Sequence, residues 1–318
     1  MDDAQAAPAS GPATPPAIDA RLAARLLAEQ FPRWAGLPLA LLDPAGSDHV
    51  IFRLGHDMAL RLPRGDWAAG QAAKEHRWLP RLADGLPLAV PVPLGLGKPS
   101  PELGYPWHWS VSRWLDGTVP QAESATTDDS PQPRLVAQQL AGFLTALHRL
   151  PPAGSFLPGP HPDLAGDPLH ARDADTRAAI AATADVFGAD AMTAAWELAL
   201  GAPLWSGPPR WFHGDFHTGN LLAGPDGRLS AVIDFGGLGM GDPACDLIIA
   251  YTHLGPTGRT AFRDKLATDD ATWSRGLGWA LATGLNAYTT YAATHPRVAD
   301  QTSRQITQSL AEYHRITG

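Results

Sequence analysis

Residues 211–236 read WFHGDFHTGNLLAGPDGRLSAVIDFG. Asp215 stands five residues before Asn220, and Asp234 follows 14 residues later at the end of an apolar run. In phosphoryl transfer one aspartate accepts the proton of the attacking hydroxyl, while an amide oxygen and a second carboxylate hold magnesium on the nucleotide phosphates. The stretch supplies one residue for each of these tasks.

Its local structure follows from residue type. His213-Gly214-Asp215 is a turn in which glycine lets the backbone bend and leaves the aspartate at a loop tip. Leu221-Leu222 begins a strand, Gly224-Pro225-Asp226-Gly227 is a hairpin turn, and Leu229 to Phe235 returns as an apolar strand. Asn220 and Asp234 are therefore expected side by side, two hard oxygen ligands of the kind magnesium takes. Alone, each residue has a plainer use: Asp215 as a loop carboxylate bonded to its own backbone, Asn220 in a turn, Asp234 at a strand end, His213 and His217 as packed histidines. The ordered set H-G-D-x4-N followed by I-D-F-G is what points to chemistry.

At these residues the chain resembles the aminoglycoside phosphotransferase family, small-molecule kinases related in fold to the protein kinases. The resemblance rests on HGDFHTGN (213–220), VIDFG (232–236) and GDPACDL (241–247). It implies an α+β, two-lobed protein-kinase-like fold with a small N-terminal β-rich lobe and a larger, mainly helical C-terminal lobe. It also implies Asp215 as the catalytic aspartate, Asn220 and Asp234 as magnesium ligands, and ATP or GTP as phosphate donor. His213, Asp242 and Asp246 become structural support, the two aspartates bracing the catalytic loop through backbone hydrogen bonds.

The resemblance extends toward the N-terminus. Residues 46–63 read as two strands around Gly55-His56-Asp57, with Val50, Phe52 and Leu54 alternating on one face. Gly46 to His49, including Ser47, Asp48 and His49, is then the loop over the phosphates. Where such kinases place a phosphate-binding lysine on the next strand, this chain has Arg61, whose planar fork is not equivalent to a lysine point charge. Glu75, in the helical stretch 68–79, is its expected partner. Residues 105–115, YPWHWSVSRWL, alternate as a strand leading into the hinge, and the backbone of Ser112, Arg113 and Trp114 is expected to meet the nucleotide base.

The expected organisation is a disordered tail at 1–17, a nucleotide-binding lobe with hinge at 18–117, and a catalytic and substrate-binding lobe at 118–318. A first helix runs from about Ile18 to Phe31. The polar, proline-punctuated stretch 119–133 marks the lobe boundary, and Leu135 to Leu150 is the central helix of the second lobe. Helical periodicity continues over 176–187, 191–200, 247–254, 259–267, 272–293 and 299–316.

The acceptor is expected between the catalytic loop and the C-terminal helices, with His217, Trp205, Trp279 and Tyr288 as candidate contacts, although aromatic residues at helical spacing more often fill a core. The segment from Pro151 to Gly201 is expected to wall that site, with Asp163, Asp167, Asp173 and Asp175 at its rim. A net charge of -8 argues against nucleic acid as partner and is compatible with a cationic small molecule, solubility alone being the equal alternative. A single cysteine, Cys245, excludes an intrachain disulfide and fits a reducing cytoplasm. The N-terminus has no signal-peptide pattern, and no run reaches the ~18 apolar residues of a membrane span.

The resemblance points to an antibiotic as acceptor: an aminoglycoside, a macrolide or a sugar-bearing nucleoside antibiotic. A small metabolite of the choline or homoserine kind is the alternative. His213-x-Asp215-x-His217 also has the look of a metal-ligand cluster, which would make the protein a zinc-dependent hydrolase. A nucleotide-binding module without turnover is a further reading, opposed by the intact Asp215, Asn220 and Asp234.

Overall fold

The computed structural model describes residues 17–42, 48–123, 130–152 and 169–318. The expected tail, Ser47, Asp163 and Asp167 lie outside them, apart from Ala17. The described chain divides into two compact units. One holds the residues up to His76 together with Pro93–Trp114; the other holds Arg77–Val92 and the residues from Leu115 onward.

The first unit is a five-stranded antiparallel sheet with one whole helix and the first half of a second. Helix α1 (Ala20–Gln30) starts where Asp19 accepts the Leu22 N–H at 2.8 Å, and Leu22, Leu26 and Leu27 are buried at the expected helical spacing. The strands are β1 (Leu39–Leu41), β2 (His49–Leu54), β3 (Met58–Pro63), β4 (Pro93–Gly97) and β5 (Trp109–Arg113), in the order β1-β2-β3-β5-β4. Val50, Phe52, Leu54, Leu60, Leu62 and Val111 share one core with the apolar face of α1. Strand β5 is shorter than the alternation in 105–115 predicts. Tyr105 and Trp107 are buried by packing edge to face, 5.4 Å apart, and their polar tips bond Pro63 O and Asp66 rather than extending the ladder. Helix α2 (Gln71–Leu82) carries the division between units, and its Trp78, Leu79 and Leu82 lie in the second unit's core.

The second unit is mainly helical: α3 (Pro131–Arg149), α4 (Asp173–Ala182), α5 (Ala184–Phe187), α6 (Ala189–Leu200), α7 (Ile249–Thr252), α8 (Pro256–Leu266), α9 (Asp270–Tyr291) and α10 (Pro296–Thr317). Helix α3 begins inside the stretch that reads as a linker. Pro131 and Pro133 fall in its first turn, where a missing N–H costs nothing. The helix expected over 176–187 breaks at Thr183, whose hydroxyl donates to the Ala179 carbonyl at 2.8 Å. Two short ribbons interrupt the helices: β6 (Arg210–Phe212) with β9 (Gly239–Gly241), and β7 (Leu221–Ala223) with β8 (Leu229–Val232). Phe143, Leu144, Phe216, Phe235, Trp211 and Trp273 fill the core around them.

The architecture is α+β and two-lobed, a small β-rich lobe and a larger helical one, as the motifs imply. No described helix is long and apolar enough to cross a membrane.

Candidate active site

The loop after β6 is fixed from below by one buried carboxylate. Asp246, fully buried in the 3-10 turn Pro243–Ile248, accepts the N–H of His213 at 2.7 Å and of Gly214 at 2.9 Å. Burial pushes its carboxyl up to about 7, against the two backbone donors that favour the anion; the Asp215 charge adds to the rise. Gly214 has a φ of 85°, and a β-carbon there would lie 2.1 Å from the Gly237 carbonyl oxygen, so only glycine fits the crossing.

His213 joins two segments. Its Nδ1 accepts the Asp215 N–H at 3.2 Å, which leaves the proton on Nε2 to donate to Ile233 O at 3.0 Å. Its ring is fully buried and packs 4.5 Å from Phe235, and burial lowers its pKa. Phe216 turns into the core and stacks on Phe143 of α3 at 5.5 Å. With 213 and 216 anchored inward, Asp215 and His217 are left outward, their side chains 36% and 38% exposed.

Around Asp215 the donors converge. Asn220 Nδ2 lies 2.8 Å from its carbonyl oxygen and 3.1 Å from Oδ2, and His217 Nε2 lies 3.5 Å from the same Oδ2. Burial alone would raise the Asp215 carboxyl, but the His217 and His213 rings and the Asn220 amide outweigh it and hold it at about 2. The carboxylate in turn raises the His217 pKa against burial.

The hairpin places Asp234 one step from the expected register. Leu221 pairs with Val232, and Ile233 N–H donates to Asn220 O at 2.9 Å, so Ile233 and not Asp234 faces Asn220. Strand β8 ends at Val232, and Asp234 adopts a left-handed conformation, φ 63° and ψ 71°, before the turn Phe235–Gly237. That position is rare for a residue with a side chain. Because the Asn220 amide nitrogen is committed to Asp215, its Oδ1 is the atom left to serve as a ligand, in the chain segment adjoining Asp234. Two hard oxygens suit magnesium, which takes its remaining ligands from water and phosphate.

In the first unit, Arg61 on β3 meets Glu75 on α2. Arg61 Nη1 lies 2.8 and 2.7 Å from the two Glu75 oxygens, with both residues buried. Asp48 accepts a hydrogen bond from Gln71 Nε2 at 2.8 Å.

Several expectations are corrected. His49 belongs to β2, paired with Pro63 and buried, and so is no part of an open loop. Ser112 lies within the ladder between β3 and β4, Arg113 pairs with Met58, and the Trp114 N–H donates to Asp57 O at 2.7 Å, which removes that donor from base binding. Asp242 does not brace the catalytic loop: it caps Ala244 N–H at 3.0 Å and forms an ion pair with Arg275 of α9 at 2.7 Å. Trp279 is a core residue with the Arg172 guanidinium over its ring, and Tyr288 packs edge to face on Phe187 at 5.0 Å. Trp205 is half-buried, its indole N–H donating to Pro208 O and Arg210 lying over its ring. Asp173 accepts from Trp196 and Arg177, each at 2.7 Å, and serves as a helix pin; Asp175 sits in the same first turn of α4.

Among the described residues no three His, Cys, Asp or Glu side chains are grouped to hold a metal ion. Both His213 ring nitrogens are spent on the backbone, so the zinc cluster read from His213, Asp215 and His217 does not form. Sequence reasoning missed Phe216, Gly237 and Arg275. The doubled glycine at 236–237 was the one available signal, since a β-carbon at Gly237 would lie 2.9 Å from the Gly214 backbone.

The fold has close counterparts among solved structures. The GDP complex of a mutant of aminoglycoside 2'-phosphotransferase-IIIa superposes with a TM-score of 0.68 at 18% identity, over 94% of this chain and 99% of that one. The GDP and kanamycin complex of an APH(2") enzyme gives 0.65 at 18%, over 92% and 98%. Macrolide 2'-phosphotransferase MphH from Brachybacterium faecium gives 0.57 at 21%, over 91% and 96%. A model of the phosphotransferase enzyme family matches residues 40–279, a span that takes in Arg61, Glu75, the whole catalytic loop and the Asp246 brace. With three quarters of its length matched, the chain belongs to the phosphotransferase enzyme family.

Proposed function

We propose that this protein transfers the γ-phosphoryl group of ATP or GTP to a hydroxyl of a sugar-bearing antibiotic, an aminoglycoside or a macrolide first. The observation that carries the reading is the Asp215 carboxylate, ionised and half-exposed at a loop tip, with the Asn220 amide locked onto it and Asp234 in the adjoining segment. The GDP, kanamycin and macrolide named in structures of similar fold support the donor and acceptor classes.

In this reading Asp215 orients the acceptor hydroxyl and takes its proton. The oxygen–phosphorus bond forms as the bond from the γ-phosphorus to the β–γ bridging oxygen breaks, and the nucleoside diphosphate leaves with the electron pair. With a pKa near 2, Asp215 is a weak base, so its main contribution is alignment, and the proton moves late. Asn220 Oδ1 and Asp234 would hold magnesium, which supplies neutralisation of phosphate charge. Arg61, gripped by Glu75, would contribute a fixed positive charge toward the phosphates.

The test is incubation of the purified chain with magnesium and either nucleotide against aminoglycosides, macrolides, nucleoside antibiotics, choline and homoserine. A gain of one phosphate on a sugar hydroxyl of an antibiotic, lost by about 10²- to 10⁴-fold in a folded Asp215→Asn variant, supports the reading. Efficient turnover of choline or homoserine alone would replace the acceptor, and normal turnover by Asp215→Asn would remove the mechanism.

A further inference from the structure

The two oxygens of Asp215 are treated differently by their surroundings. Asn220 Nδ2 and His217 Nε2 both address Oδ2, at 3.1 and 3.5 Å. Among the described residues neither is directed at Oδ1. A carboxylate turns readily about its last torsion, which is broad and roughly two-fold, so which oxygen faces a ligand has to be set by neighbours.

His217 has its ring orientation imposed by the backbone. Its Nδ1 accepts the Gly219 N–H at 3.1 Å. A ring nitrogen that accepts an N–H carries no proton, so the neutral imidazole bears its hydrogen on Nε2, the atom facing Asp215. Gly219 also seats the ring closely: a β-carbon there would come within 2.7 Å of His217 Cε1. The short turn Thr218–Asn220 thus carries His217 at its start and Asn220 at its end, and both reach back to one carboxylate oxygen.

Resting on the phosphotransferase reading above, we propose that His217 is a positioning residue for Asp215: with Asn220 it holds Oδ2 and thereby presents Oδ1 to the acceptor hydroxyl. This differs from a substrate contact, in which His217 would bind the acceptor itself. The contact with Asp215 is long for a hydrogen bond, as is common at catalytic groups before the reactants are bound.

Three variants test it, alongside wild type and Asp215→Asn in the same assay, with the acceptor that the panel yields. His217→Leu removes the donor; His217→Gln keeps an amide N–H at the place of Nε2. The expected result is a fall in kcat of ~10- to 100-fold for Leu, of the order a misplaced catalytic group costs. KM for both substrates should stay within about twofold, Gln should recover most of the loss, and adding His217→Leu to Asp215→Asn should change little. Equal losses in Leu and Gln, an unchanged Leu variant, or a rise in acceptor KM at constant kcat would each overturn the proposal. Failure of wild type to transfer phosphate, or of Asp215→Asn to lose turnover, would instead sink the underlying reading. If His217→Leu does not fold, nitrogen-15 spectra of the wild-type ring decide: a proton on Nε2, with its shift altered in Asp215→Asn, is required, and a ring protonated on Nδ1 alone refutes it.

Discussion

Asp246 accepts the backbone N–H groups of both His213 and Gly214 while having no exposed surface of its own, so a buried side chain 31 residues downstream of Asp215 sets the height of the catalytic loop. Replacing it with alanine leaves two buried donors unpaired, at about 1–3 kcal/mol each. Asp246→Ala is expected to lose at least about 2 kcal/mol in urea unfolding together with most of its turnover. Asp246→Asn, which keeps one acceptor oxygen, should fall between. Full turnover in a destabilised Ala variant would separate the brace from the chemistry.

Asp234 combines a left-handed backbone with the ligand role proposed for it. Glycine at this φ relieves roughly 1 kcal/mol of strain. Asp234→Gly is therefore expected to keep the turn and the fold and yet show no phosphotransfer, at any magnesium concentration. Asn220→Ala should regain only part of its activity with added magnesium, because the same side chain also holds Asp215 at two points. Full recovery would mean that the hold on Asp215 is dispensable.

Arg61 and Glu75 form a buried pair, and removing one partner strands the other's charge, typically at about 3–5 kcal/mol. Arg61→Ala and Glu75→Ala should each be strongly destabilising, and the double variant much less so than their sum. Additive losses in a double-mutant cycle would show that the two act separately.

The hairpin and the loop tip were legible in the sequence because turn residues and periodicity are local signals. Gly224 to Gly227 closes β7 onto β8 much as the turn chemistry requires. The offset that sets Ile233 against Asn220, and the left-handed Asp234, were not legible, since both depend on His213 and Asn220 bonding to the Ile233 backbone across the fold. Trp279 takes the commoner of the two readings open to it. An aromatic at helical spacing reads the same whether it lines a cleft or fills a core, and here it is 3% exposed. The use of the Trp114 N–H by Asp57 has no side-chain signature at all.

His253 is buried, and burial, with the charge of Arg304 added, lowers its pKa to about 4 from an ordinary 6.5. Below 6.5 the unfolded chain takes up a proton that the folded chain refuses until about pH 4. Stability is thus intact above that window and is lost as pH falls through it, by about 2 kcal/mol at pH 5 for this one group. His148, lowered to about 4 by burial and then by Arg210, adds to the loss in the same direction. Asp246, whose buried carboxyl sits at about 7, gains a proton in the folded chain over the same range and works in the opposite direction. The expected outcome is therefore comparative: from about pH 8 to pH 5 the urea midpoint of wild type drops relative to that of His253→Gln. An equal drop in the variant would assign the acid sensitivity elsewhere.

The glycine crossing at 214 and 237 has a bearing on how such an enzyme can be rebuilt. Each of the two backbones occupies the volume that a β-carbon on the other would need. An eight-residue motif at 213–220 is consequently not a transplantable part. A chimera that imports it into a scaffold with any side chain at the position of Gly237 inherits a collision, while one that carries the whole stretch from β6 through Asp246 brings the loop, its clearance and its anchor together. The natural unit of exchange in this chain is that 37-residue block, 210–246, with β6 pairing to β9 as its seam.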